Sequence, residues 1–146
     1  EPIADLLVRH RSLKAVTVPA ERAPSMIDEY PILAILASVA EGKTVMKGIK
    51  ELRVKESDRI KAVSEGLNQN GVKTEATEDS LTVFGTSQSI PGGAVVRTYS
   101  DHRIAMSFLC LDLVSKKPIK VDNLKSINTS FKEFFKSMSR VGVNFD

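Results

Sequence analysis

Lys55, Glu56 and Arg59 lie together in the stretch LRVKESDRI, residues 52–60, where five of nine side chains carry charge. The stretch sits between apolar runs rather than in a tail. A second polar group, Asp101-His102-Arg103, opens another apolar run, and Asp28 precedes a third. If these entrances face a shared cleft, Lys55, Arg59, His102 and Arg103 supply cations, and Asp28 and Glu56 supply carboxylates. Arginine suits phosphate and carboxylate because its planar fork binds two oxygens at once. His102 can exchange protons near neutral pH. Each residue also has a plainer reading: a solvated helix start for residues 55–59, a helix cap for Asp28, a structural histidine for His102.

The elements that would position these groups follow from periodicity. Ile60, Val63 and Leu67 fall on one face of a 3.6-residue repeat. Ser57 or Asp58 is placed to cap that helix, and Asn70-Gly71 to stop it. Residues 29–40 predict a helix that is apolar nearly all round and therefore buried, with Pro31 tolerated in its first turn and Gly42 closing it. Residues 104–114 predict a second strongly apolar helix. A cation at a helix start opposes the macrodipole, so Arg59 and Arg103 there suggest an anion that offsets the cost. Residues 130–141 predict an amphipathic helix with a Ser130…Glu133 capping box. Strands are expected at 6–9, 16–18, 44–46, 95–98, 118–121 and from 143 onward, with a hairpin over 72–76 and 81–84. Residues 87–93 read as a linker or turn.

Helices alternating with short strands argue for an α/β architecture. The order strand, helix, strand, helix, strand recurs at a spacing of about 70 to 80 residues, an internal duplication. The first unit spans about residues 14–86 and the second, incomplete, about 94–146.

At 146 residues, 42% apolar and 27% charged, the chain can bury one good core. It opens Glu1-Pro2-Ile3, with no signal pattern, and reads as a piece of a longer protein. No apolar run is long enough for a membrane-spanning helix. The single cysteine, Cys110, excludes an internal disulfide framework, fits a reducing compartment such as the cytoplasm, and reads as a buried, inert thiol. The net charge of +3 and an aromatic content of 5% without tryptophan give no case for nucleic acid. No Cys/His cluster has metal-ligand spacing.

LRVKESDRI at 52–60 and DHRIAMSF at 101–108 closely resemble the paired signatures of the 5-enolpyruvylshikimate-3-phosphate synthase family. PSMIDEYPILAILASVAEG at 24–42 and Thr129-Ser130-Phe131 resemble further family segments, so the likeness runs the length of the chain in order. The wording KESDRI and DHRIAMSF looks more like the glyphosate-tolerant branch. The resemblance implies the C-terminal third of a two-domain enolpyruvyl transferase fold, holding two of its six βαβαββ units with helices packed inside. It implies transfer of the enolpyruvyl group of phosphoenolpyruvate to the 5-hydroxyl of shikimate 3-phosphate, with release of phosphate and no metal or organic cofactor.

By the same resemblance Asp28 contacts the shikimate 5-hydroxyl as proton acceptor and Lys55 lies near that hydroxyl. Glu56 serves the enol methylene carbon, and Arg59, His102 and Arg103 line the phosphoenolpyruvate site. Many family members carry a lysine just before the phenylalanine of the last helix; here that region reads Asn128-Thr129-Ser130, with Lys125 nearby, and no lysine is carried over. The partners implied are the two substrates and the remaining N-terminal part of the enzyme, without which the 146 residues are expected to be inactive. Two rival readings are a UDP-N-acetylglucosamine enolpyruvyl transferase, whose usual signature is not KESDR, and a non-catalytic anion-binding module.

Overall fold

In a computed structural model, residues 3–145 are described. Two short helical turns, at 20–22 and α1 (Ala23–Met26), lead from strand β1 (Thr17–Val18) into α2 (Tyr30–Val39). Strand β2 (Glu41–Lys47) and a 3-10 turn, Lys50–Val54, precede α3 (Arg59–Gln69). Strands β3 (Thr74–Ala76) and β4 (Ser80–Thr86) then form the expected hairpin, with Thr74 opposite Val83. The sheet order is β1-β2-β4-β3; β1 and β2 are parallel, joined through α2, and the other pairs are antiparallel.

After it come β5 (Ile90–Gly92), β6 (Val95–Val96), α4 (His102–Asp112), β7 (Ser115–Lys117) and β8 (Lys120–Val121). Both β5–β7 and β6–β8 are parallel pairs that enclose α4. Two short helices, α5 (Ile127–Ser130) and α6 (Phe134–Arg140), complete the described chain. Mixed helices and partly parallel strands make this an α/β architecture. No helix among the described residues is long and apolar enough to cross a membrane.

Helices α2, α3 and α4 pack on one another, and one apolar cluster runs from Ile35, Met46 and Val83 through Ile60 and Leu67 to Ile104 and Phe108. Asp58 caps α3 by accepting from the Lys61 N–H at 2.9 Å. Its C-terminus closes as a Schellman turn: Gly71 sits at φ 86°, its N–H donates to Asn68 O, and the Val72 N–H donates to Leu67 O. The helix α2 is less enclosed than its composition predicts, since Leu36 is half exposed. It ends at Val39, and Gly42 lies inside β2 rather than closing the helix.

The end of α2 rests on β4 through Gly85. A Cβ there would lie 2.0 Å from Ala40 O and 2.5 Å from Ala37 O, both backbone atoms. Gly85→Ala is therefore expected to destabilise the fold by about 1–3 kcal/mol. Urea unfolding measures it; an unchanged midpoint would show that α2 can retreat without cost.

Five further expectations are overturned. Residues 6–9 form no strand: Leu6, Leu7 and Val8 are exposed, and a β-propensive run needs a neighbouring strand to satisfy its backbone. The linker at 87–93 contains β5, because Ile90 is fully buried and Gly92 brings its backbone so close to Lys117 O that only hydrogen fits. The helix over 130–141 is two helices, broken at Phe131 (φ −135°, ψ 75°). Asn128, Thr129 and Ser130 are poor helix-interior residues, and the Thr129 hydroxyl turns back onto Ser126 O at 2.6 Å. The capping box is accordingly absent, and Glu133 pairs with Lys136. Residues 143–145 form no strand; instead Phe145 stacks on Phe134 at 6.0 Å.

Candidate functional site

The starts of α3 and α4 and the turn before α2 meet at one place. Its floor is the pair Arg59–Asp101. Arg59, first residue of α3, is 1% exposed, and Asp101, the N-cap of α4, is 0% exposed. Arg59 Nε donates to Asp101 Oδ2 at 2.8 Å, and its Nη1 donates to Asp28 Oδ1 at 3.0 Å. Its Nη2 reaches Glu56 Oε2 at 2.5 Å and Asp101 Oδ1 at 3.4 Å. Asp101 also accepts from the Ser57 hydroxyl at 2.9 Å and from the backbone N–H groups of Arg103 and Ile104. Arg103 closes the ring from above: Nη2 donates to Asp28 Oδ2 and Nη1 to Asp28 O, each at 3.1 Å.

This arrangement resolves an electrostatic conflict visible in the sequence. A guanidinium on the first residue of α3 opposes that helix's macrodipole and is desolvated as well. Three carboxylates offset both costs. Burial alone would lower the Arg59 pKa, but the bonds and charges of Asp101, Glu56 and Asp28 outweigh it and leave it raised. Burial would likewise raise Asp101; the Arg59 guanidinium, then Ser57 and the Arg103 N–H, hold its carboxyl below the ordinary range.

Above this floor, Asp28, Glu56 and Arg103 stay partly open to solvent. The site therefore offers two carboxylates and one accessible guanidinium over a buried second one. Such a set can hold an anionic group and move protons at atoms beside it.

Four of the six residues singled out by sequence, Asp28, Glu56, Arg59 and Arg103, are brought into one bonded cluster. The arginine forks do not stand free, as expected for an anion site, because a buried guanidinium left unpaired is too costly. Lys55 is not in the cluster's bonding: its Nζ is held by Glu51. His102 occupies the first turn of α4, half-buried, and its imidazole makes no hydrogen bond among the described residues. Lys125 lies exposed before α5.

Sequence reasoning missed Asp101 and Ser57 as members; Asp101 was legible only as a helix entrance, and Ser57 only as a competing cap. Arg53, in the charged stretch but outside the cluster, ties its turn to the β3–β4 hairpin through Glu78 O and to Asp58 at 2.7 Å. Cys110 is half-buried on α4, and burial pushes its thiol pKa up, against a nucleophilic role.

Known proteins resemble this chain in sequence and in fold. The family model described as "EPSP synthase (3-phosphoshikimate 1-carboxyvinyltransferase)" matches residues 1–138. A protein named 3-phosphoshikimate 1-carboxyvinyltransferase from Chelativorans sp. (strain BNC1) is 56% identical over 147 residues, covering 100% of this chain and 33% of that protein. One of the same name from Brucella canis is 58% identical over 144 residues, covering 98% and 32%. The chain thus spans about a third of the length of these relatives.

Among solved structures, EPSP synthase from Acinetobacter baumannii superposes with a TM-score of 0.86 at 38% identity, covering 91% of this chain and 31% of that one. The enolpyruvyl transferase NikO from Streptomyces tendae, at a TM-score of 0.62 and 22% identity, shares the fold. With the signatures, the architecture and these matches in agreement, the chain belongs to the EPSP synthase (3-phosphoshikimate 1-carboxyvinyltransferase) family.

Proposed function

We propose that the full-length protein transfers the enolpyruvyl group of phosphoenolpyruvate to the 5-hydroxyl of shikimate 3-phosphate, and that this chain forms one wall of the site. The observation that carries the reading is the bonded cluster of Asp28, Glu56, Arg59 and Arg103, on a chain similar along its whole length to proteins named for that activity. The reaction needs a base at the attacking hydroxyl and an acid at the enol methylene, two protons on different atoms. Asp28 takes the first role. Glu56 takes the second, delivering a proton to the methylene carbon and recovering one when the carbon–oxygen bond to phosphate breaks.

Arg103, with Arg59 beneath it, holds the phosphoenolpyruvate anion and the departing phosphate. Lys55 and His102 border the substrates, Lys55 after leaving Glu51. The rest of the enzyme supplies the opposite wall, so the isolated 146 residues are inactive; the setting is the cytoplasm. Two repeat units divide the chain, the first over about residues 14–86 and the second, incomplete, from about residue 94 onward. The parallel pairs β1–β2 and β6–β8, each joined through a helix, support that division.

The test uses the full-length parent. Phosphate release should require both substrates, and Glu56→Gln should lower kcat by about 10²–10⁴-fold. It should leave the KM for shikimate 3-phosphate nearly unchanged. Release with UDP-N-acetylglucosamine in place of shikimate 3-phosphate, or a fully active Glu56→Gln enzyme, would overturn the assignment.

A further inference from the structure

The loop that delivers Asp101 to Arg59 is held in an unfavourable backbone conformation. Tyr99 and Ser100, neither a glycine, have φ of 54° and 59°. The Asp101 N–H donates to Thr98 O at 3.0 Å and closes the loop. These are the marks of a primed type I turn, ordinarily filled by Asn and Gly because other residues crowd their Cβ there. Such strain persists only where the surroundings over-determine it.

The surroundings here are specific. Thr98 is fully buried, and its N–H and hydroxyl both donate to Asp122 Oδ1, at 2.9 and 2.6 Å. Asp122 stands just past β8, where its own N–H donates to Val96 O. The Tyr99 hydroxyl donates to Glu65 Oε2 on α3 at 2.9 Å, and Asn123 Nδ2 donates to the Ser100 hydroxyl at 3.2 Å.

We propose that Asp122 is a positioning residue: by clamping Thr98 it holds the strained 99–100 turn and so aims the Asp101 carboxylate at Arg59. The inference rests on the reading of Arg59 and Arg103 as the phosphoenolpyruvate-binding pair. Among the described residues Asp122 makes no hydrogen bond or ion pair with either arginine and acts only through the turn. What the clamp supplies is an acceptor oxygen at Oδ1, not a charge, so asparagine should serve in its place. Glycine at position 100 adopts the same φ without cost and should make the clamp less necessary.

Three variants of the full-length parent test this. At saturating shikimate 3-phosphate, Asp122→Ala should raise the KM for phosphoenolpyruvate by about 10- to 100-fold, a displacement effect from outside the chemistry. Asp122→Asn should stay close to wild type. Adding Ser100→Gly to Asp122→Ala should recover most of the loss. A purely structural Asp122 would lower the melting temperature of Asp122→Ala with KM unchanged, and Ser100→Gly would recover nothing; either result overturns the proposal.

A readout without substrate separates this inference from the functional one. In urea unfolding, Asp122→Ala and Asp101→Asn should be strongly non-additive, and additivity would refute the clamp even in an active enzyme. No turnover by the wild-type parent would instead refute the assigned reaction, leaving the non-additivity to decide the clamp.

Discussion

Asp28→Asn in the full-length parent should slow turnover by about 10²–10⁴-fold and yet tighten the hold on inorganic phosphate. The two effects have opposite signs because Asp28 serves two ends. Its carboxylate is the proposed proton acceptor, and an amide cannot take that proton. The same carboxylate sits in the donor forks that an anion needs, with Oδ1 on Arg59 Nη1 and Oδ2 on Arg103 Nη2. An arriving phosphate competes with it for those N–H groups. Removing its charge at constant shape weakens the competitor, and charge-assisted bonds of this kind are worth about 1.5–3 kcal/mol net. A gain of about tenfold in phosphate affinity lies at the low end of that range. Calorimetric titration of wild type and Asp28→Asn with phosphate alone reads it directly. Weaker or unchanged binding would mean that Asp28 does not occupy the anion's place.

Asp101→Asn should cost about 3–5 kcal/mol of stability, since it leaves a guanidinium buried without its main counter-charge. The pair is out of solvent, so added salt should restore little of the loss. Its pH dependence has a definite sign. The Asp101 carboxyl is held below the ordinary carboxylate range, so its contribution is fully present above about pH 4, the unfolded value. It fades as pH falls through the lower folded value. The gap between wild type and Asp101→Asn should therefore be constant from neutral pH to about 4 and narrow below that. Arg59 is raised from an already high value and stays charged throughout. Denaturant unfolding at a series of pH values checks both statements; a gap that widens in acid would contradict the pairing. Replacing Arg59 by Met in the Asp101→Asn background should cost less than the two single changes summed, because either one alone already breaks the pair.

Local chemistry made much of this legible in advance. The cap at Asp58 and the stop at Gly71 are short-range bonds within one helix, and they lie where residue type places them. The apolar runs behind Tyr30 and Asp101 became packed helices because burial of such faces is their only stable use. The failures share a cause as well. Residues 6–9 have strand chemistry but no ladder among the described residues, and residues 130–141 have helical periodicity interrupted where the backbone leaves the helical region at Phe131. In each case the outcome depended on the surroundings of the segment, which periodicity does not reveal.

The sequence by itself determined where α2, α3 and α4 are entered, which charges stand at those entrances, and which family signatures they spell. Tertiary structure alone decided which charges pair. Arg59 meets Asp101 across 42 positions of chain, and Arg103 meets Asp28 across 75. Lys55, next to Glu56 in sequence, turns instead to Glu51. Coulomb attraction is indifferent to sequence distance and steep in spatial distance and desolvation. The partner of a buried charge is therefore chosen only when the packing of α2, α3 and α4 brings their amino ends together.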